Sequence, residues 1–311
     1  MRSFSSVVFF ILVFSQTLRG EDPHTGSDWL SQVPDPTPLS KIHLPGTHNS
    51  AALFEPLPST AKCQELTIKE QLEAGVRFLD IRCRHQRDRF ALYHESVPQR
   101  QTFGEFLVTL NTFLSDHPSE CVLVSIQETS GAKGNTQSFT QTLKTYLAKN
   151  PKLWLLNTLP SLIEARGQAL LVRRFRSPKP LGIDATNWRC RGVHSASALL
   201  VQDQFKIAKP EEKWTQMKQL WTQAPDHPGK LTLNFTSGYQ PGAFGIPNIT
   251  AISTPINAQL HDRLLEPQCP PPGILVLDFI TPELARSIYQ LNFAAPSPPL
   301  TSPSVVALWG L

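Results

Sequence analysis

The sequence predicts an α/β protein, a single-domain and irregular (β/α)8 barrel. Short apolar stretches of period two alternate with longer stretches of helical spacing, the pattern of a parallel sheet with crossover helices. Strands start near residues 41, 77, 90, 122, 169, 199, 230 and 274. That number of strands over about 260 residues fits a parallel barrel. Polar residues recur at the C-terminal ends of those strands, where such barrels hold their chemistry.

The first strand is read over Lys41–Leu44 and runs into Leu44-Pro45-Gly46-Thr47-His48-Asn49-Ser50. There a Pro-Gly pair breaks regular structure and glycine permits a backbone few residues adopt. Leu66–Ala74 has helical spacing, and Gly75 is placed to end it. Arg77–Arg84 changes period: Phe78, Asp80 and Arg82 share one face, and Leu79, Ile81 and Cys83 the other. A carboxylate and a guanidinium inside an otherwise apolar strand are costly unless paired or used. Phe90–His94 follows too closely for a helix between, which makes the barrel irregular. Phe103, Phe106, Leu107, Leu110, Phe113 and Leu114 give the clearest helix stripe, and Val122–Ile126 is an apolar strand. Further helices are read at Gln137–Leu147, Glu211–Thr222 and Pro282–Leu291. Strands are read at Ala169–Phe175, Leu199–Asp203, Lys230–Phe235 and Ile274–Ile280. A doubly wound open sheet is the alternative, but no Gly-rich phosphate loop follows the first strand.

Residues 1–20 have the composition of a secretory signal peptide: Arg2, an apolar run from Val7 to Phe14, then Ser15, Thr17 and Gly20. The expected domains are that peptide, a barrel over 21–295 and a Pro/Ser-rich tail over 296–311. A secreted, extracellular protein follows, with no transmembrane segment and a monomeric state expected. Removing residues 1–20 takes away two arginines and no acid, so the formal charge falls from +4 to +2. That is too weak to argue for a nucleic-acid partner. Five cysteines (Cys63, Cys83, Cys121, Cys190 and Cys269) lead us to expect one disulfide, its pairing open. No two have metal-ligand spacing, which argues against zinc.

His48, Arg82, His94, Gln127, Arg174, Asp203, Asn234 and Asp278 fall at or near strand ends and would converge on one mouth. Asp278 is the only charge in an apolar strand and needs a cation or an imidazole beside it.

Pro-Gly-Thr-His-Asn-Ser around His48, Leu-Asp-Ile-Arg at 79–82 and Tyr-His at 93–94 resemble the X domain of phosphatidylinositol-specific phospholipases C. The likeness is to the small bacterial type and its X-domain-containing animal relatives. It continues through Leu-Val-Arg-Arg-Phe (171–175), Val-Gln-Asp-Gln-Phe (201–205), Asn-Phe-Thr-Ser (234–237) and Leu-Asp-Phe-Ile (277–280). The resemblance implies cleavage of phosphatidylinositol, or of inositol-glycan (GPI) anchors, to diacylglycerol and inositol 1,2-cyclic phosphate. By position, His48 is the general base, Asp278 orients it, Arg82 holds the phosphate and His94 protonates the leaving oxygen. Asp80, Gln127, Arg174, Asp203 and Phe205 match head-group positions. An arginine at 82 and an amide at 127 stand where the calcium-dependent branch has acids, so no cofactor and no metal are expected. Asn49 replaces an acid and would give His94 only a neutral hydrogen bond. Gln127 replaces a lysine and Phe205 a tyrosine. These departures motivate a second reading, an inositol-lipid-binding barrel without turnover. A metal-dependent glycerophosphodiesterase-type barrel is a third, and lacks its carboxylate cluster. Asn234 and Asn248 begin glycosylation sequons, and Asn248, in a Gly/Pro-rich loop, is preferred.

Overall fold

The computed structural model describes residues 26–149, 152–154, 157–266 and 270–293. The expected signal peptide, the C-terminal tail and Cys269 lie outside them.

Strand β1 spans Leu44–Thr47, three residues later than expected, because Leu39–Lys41 forms a 3-10 turn instead. Helix α1 (Ile68–Glu73) is capped by Thr67 and Glu70 and ends at Gly75, whose φ of 107° suits glycine. Strand β2 (Phe78–Gln86) turns back through β3 (Arg89–His94) into β4 (Val97–Thr102), an antiparallel excursion from the barrel wall. Helix α2 (Phe103–Asp116) buries the predicted stripe, and β5 (Val122–Glu128) returns parallel to β2. Then come α3 (Phe139–Leu147), β6 (Leu153–Trp154), α4 (Leu162–Ala165) and β7 (Ala169–Arg174). Two-residue β8 (Ile183–Asp184) pairs with β7, and β9 (Val193–Ala196) lies antiparallel on β10 (Leu199–Gln202). Helix α5 (Pro210–Gln223) leads to β11 (Leu231–Phe235). The small hairpin β12 (Gln240–Pro241) and β13 (Pro247–Asn248) precedes α6 (Thr250–Leu264). The last elements are β14 (Ile274–Leu277) and α7 (Pro282–Tyr289).

The parallel wall runs β8-β7-β5-β2-β1-β14-β11-β10, eight strands, with antiparallel β9 on the outer edge of β10 and no pairing between β8 and β9 among the described residues. The expected architecture therefore stands, with one strand exchanged. Phe90–His94 is not a barrel strand, since its short link to β2 forces antiparallel pairing. The eighth strand is β8, too short to leave a period in the sequence. Helix α6 was also not expected: Pro255 interrupts the segment, although Ile252, Ile256, Leu260 and Leu264 recur at helical spacing and are buried.

Side-chain parity explains the layers. On the inward face, Leu44, Phe78, Leu123, Leu170, Val172, Leu199, Val201, Leu231, Leu233, Ile274 and Val276 form one buried cluster. On the outward face, Leu79, Ile81, Val122, Val124, Leu171 and Leu277 pack beneath the helices. Burying a Leu, Ile or Phe side chain contributes roughly 1.5–3 kcal/mol, so a one-residue slip in any strand is strongly disfavoured. Gly46 serves the inner layer by being small. A β-carbon there would stand 2.9 Å from Ile274 and 3.1 Å from Phe78. The need at this position is room, not an unusual backbone angle. Trp29, Leu30 and Ile42 belong to the same inward cluster, where Trp29 stacks on Tyr289.

Candidate active site

On most strands the inward row of apolar side chains ends in a polar one at the mouth, whereas on β11 it ends in Phe235. Phe78, Asp80 and Arg82 follow that parity, as do Leu123, Ser125 and Gln127. Leu170, Val172 and Arg174 do the same, and so do Leu199, Val201 and Asp203. His48 and Asp278 extend β1 and β14 in the same way. These ends surround a cavity of about 700 Å³ whose lining includes His48, Arg82, His94, Gln127, Arg174, Asp203, Phe205 and Asp278.

Asp278 is 1% exposed and accepts from His48 Nδ1 at 2.7 Å. Arg82 Nη2 donates to His48 Nε2 at 2.7 Å. Guanidinium only donates, so Nε2 holds a lone pair and the proton sits on Nδ1. The imidazole is thereby fixed in the tautomer a base needs, with its lone pair occupied by Arg82. Gln64, not foreseen from sequence, donates to the carbonyls of His48 and Leu277 at 2.9 and 2.8 Å and ties the two strand ends together.

Asp80 is fully buried and holds the cations of the mouth. Its carboxylate accepts from Arg82 Nη2 at 3.2 Å, Arg174 Nη1 at 3.3 Å and the Asn49 N–H at 3.2 Å. Burial alone pushes this carboxyl up, but Arg82 and Arg174 outweigh it and bring it down to about 2. Arg82 in turn rises above its ordinary value: burial works against its charge, and Asp80 and Asp203 overcome that. Arg174 stacks over the Trp188 ring at 4.0 Å, and Trp188 Nε1 donates to Asp203 at 2.9 Å. Trp188 follows the two-residue β8, which is why no strand-end pattern pointed to it.

His94 closes the mouth opposite His48, the two rings edge to face with centroids 6.2 Å apart. Its Nδ1 donates to the Ala61 carbonyl at 2.6 Å, which leaves Nε2 for the cavity. Burial first, then Arg82, pulls His94 down to about 4, the Ala61 carbonyl opposing. His94 is therefore neutral at pH 7 when the cavity holds no anion.

Several expected sites are placed differently. Asn49 is 2% exposed, does not line the cavity and does not bond His94, whose Nδ1 is taken by Ala61. Asp80 likewise does not line the cavity; it is buried on the inward face below the mouth, where it holds Arg82 and Arg174. Asn234 has the outward parity of β11. It donates to the Met217 carbonyl of α5 at 3.0 Å and accepts from Gln202, so it is not in the mouth. Gln127 does line the cavity, and its Oε1 has no hydrogen-bond partner among the described residues. Asn248 is exposed on β13. The expected disulfide does not form among the described residues, where Cys63, Cys83, Cys121 and Cys190 are all free thiols.

Fold and site define a parallel α/β barrel with two facing histidines and two arginines in its C-terminal mouth. The sequence model of the family described as phosphatidylinositol-specific phospholipase C, X domain, matches residues 37–175. Among curated proteins, a 1-phosphatidylinositol phosphodiesterase of Listeria monocytogenes is 26% identical over 284 residues, covering 86% of each protein. A 1-phosphatidylinositol phosphodiesterase of Staphylococcus aureus is 31% identical over 158 residues, covering 48% of this chain and 51% of its own length. Among solved structures, the Listeria phosphatidylinositol-specific phospholipase C superposes with a TM-score of 0.72 at 22% identity, covering 86% of this chain and 98% of that one. A double mutant of the S. aureus enzyme gives a TM-score of 0.73 at 23% identity, covering 85% and 97%. Residues 37–175 match the X domain of phosphatidylinositol-specific phospholipases C, and the likeness that runs over most of the chain is to bacterial enzymes of that name.

Proposed function

We propose that this protein is a phospholipase C that cleaves the inositol–diacylglycerol phosphodiester of phosphatidylinositol, or of GPI anchors, to diacylglycerol and inositol 1,2-cyclic phosphate. One observation carries the reading: the Asp278–His48–Arg82 chain faces His94 across a cavity of about 700 Å³. The bound phosphate draws Arg82 from His48 Nε2 and frees the lone pair. His48 then takes the proton of the inositol 2-hydroxyl, and Asp278 steadies the imidazolium that forms. Arg82 and Arg174 offset the charge that builds on phosphorus oxygens. The phosphate anion also compensates the Arg82 charge felt by His94, so Nε2 gains a proton and delivers it to the departing diacylglycerol oxygen.

Gln127 Oε1 and the Asp203 carboxylate are acceptors suited to inositol hydroxyls, and Phe205 and Tyr239 supply an apolar wall. The rim supports action at a bilayer: Phe244 on the β12–β13 hairpin is fully exposed, as is nearly half of Ile246. No helix among the described residues is long and apolar enough to cross a membrane. With the signal-like residues 1–20, we read a secreted monomer that docks peripherally and carries its glycan on Asn248. The arginine of the mouth supplies the electrostatic role that calcium takes elsewhere, so turnover proceeds with chelator present.

Purified protein incubated with phosphatidylinositol vesicles and excess chelator, followed by phosphorus NMR, tests this. Cyclic phosphate that forms with wild type and not with His48→Ala or His94→Ala is the expected result. Head-group binding without turnover by any variant would replace this reading with that of a binding barrel.

A further inference from the structure

The spacing of cysteines along the chain argues against zinc, yet folding gathers three ligands from distant segments. His48, Cys63 and Asp278 bring one imidazole nitrogen, one thiol sulfur and one carboxylate oxygen within 4.8 Å of one another. They come from the loop after β1, the segment before α1 and the end of β14. Cys63 is fully buried, with Sγ 3.7 Å from His94 Nδ1 and 3.9 Å from the Ala61 carbonyl. The proposed reaction gives this thiol no part.

We propose that His48 Nδ1, Cys63 Sγ and the Asp278 carboxylate form an inhibitory site for a thiophilic divalent cation of the zinc class. The donor set is the argument. Tetrahedral zinc takes sulfur at about 2.3 Å and nitrogen or oxygen at about 2.0–2.2 Å, which sets ligand-to-ligand separations of about 3.3–3.7 Å. The 2.7 Å His48–Asp278 contact has to open by less than about 1 Å and the sulfur to close by a similar amount. One thiolate, one imidazole and one carboxylate suit zinc, whereas calcium wants six to eight oxygens. Thiolate and carboxylate together match the ion's charge, and two of the three ligand residues, His48 and Asp278, also line the cavity.

Such an ion silences the base without entering the head-group pocket. On binding, Cys63 loses its proton to solvent and the metal takes Nδ1 of His48. The proton that Nδ1 carried moves to Nε2, where it meets Arg82 instead of offering a lone pair, and Asp278 is drawn from the imidazole to the metal. Chelation then restores activity, the reverse of what a metal-requiring phospholipase shows.

The site stands on geometry, and its first readout needs no turnover. Cadmium is titrated into wild type, Cys63→Ser, Cys190→Ser and His48→Gln, and the thiolate-to-metal charge-transfer absorption is followed. Wild type and Cys190→Ser are expected to bind one equivalent with that band. Cys63→Ser is expected to show none, and His48→Gln, which keeps the thiol, to bind at least about tenfold more weakly. Zinc inhibition of phosphatidylinositol cleavage then shifts at least about tenfold between wild type and Cys63→Ser, each normalised to its own metal-free rate. A band that persists in Cys63→Ser, the absence of a band in folded wild type, or equal zinc sensitivity overturns the site. The absorption result holds even for a barrel without turnover, so failure of the site and failure of the enzymatic reading remain separate.

Discussion

Replacing Asp278 with asparagine changes one oxygen to an amide nitrogen at the point where the proposed base is steadied. The carboxylate is 1% exposed and its Oδ1 is 2.7 Å from His48 Nδ1. When His48 becomes imidazolium, the two charge centres stand about 4 Å apart, worth about 4 kcal/mol at an effective dielectric of about 20. The amide oxygen can still accept from Nδ1, so the hydrogen bond survives at about half its charge-assisted strength. A loss of about 3–4 kcal/mol in the transition state, at about 1.36 kcal/mol per decade, is a fall of roughly 10²–10³ in kcat. KM should change little, because Asp278 holds the base and not the head group. The assay is cyclic phosphate release at saturating phosphatidylinositol, with circular dichroism melts to confirm folding. The double variant with His48→Ala should be no slower than His48→Ala alone, since the pair acts as one unit. A folded Asp278→Asn protein within about threefold of wild type, or losses that multiply in the double variant, would refute the reasoning.

Three further outcomes follow from other parts of the structure. Trp188→Phe keeps an aromatic ring under Arg174 but removes the N–H that Asp203 accepts at 2.9 Å. A bond to a charged group of about 1.5–3 kcal/mol predicts a KM at least about tenfold higher with kcat nearly kept, measured by steady-state kinetics. Phe244→Ala removes a fully exposed ring whose burial in a bilayer is worth roughly 1.5–3 kcal/mol, so vesicle binding in a sedimentation assay should weaken roughly 10- to 100-fold. Cleavage of a soluble inositol phosphodiester by the same variant should be unchanged. Burial holds His43 at about 4 against an ordinary 6.5. The unfolded chain takes up that proton first, so the contribution is complete above pH 6.5 and is lost as pH falls towards 4. It amounts to about 3 kcal/mol, and His43→Leu should flatten the acid limb of urea-denaturation stability by that order.

Much of this arrangement is legible in the sequence because strands alternate. Once Phe78, Asp80 and Arg82 are seen on one face, the same count places Gln127, Arg174, Asp203 and Asp278 on the inner face of their own strands. Asn234 shows what polarity alone misses. It sits near a strand end, but parity turns it outward beneath α5 and leaves Phe235 facing the mouth beside His48. Trp188 was hidden because β8 has two residues and leaves no period to read. Asn49 was expected beside His94 from its place in the motif. The backbone there has a φ of 41°, and its N–H goes to Asp80. The partner of His94 is a main-chain carbonyl, Ala61, and no residue type announces that. The meeting of Cys63 with His48 and Asp278 joins segments up to 230 residues apart and has no local spacing at all.

The division of labour between the two histidines is the central claim, and a substrate with an acidic leaving group tests it most directly. Wild type, His48→Ala and His94→Ala are compared on phosphatidylinositol and on an inositol phosphodiester whose leaving group is a nitrophenol. A nitrophenolate departs without a proton, so His94→Ala should recover at least about 100-fold of its deficit on that substrate. His48→Ala, which lacks the base, should stay equally impaired on both. Equal deficits for the two variants on both substrates would contradict the assignment of His48 as base and His94 as acid.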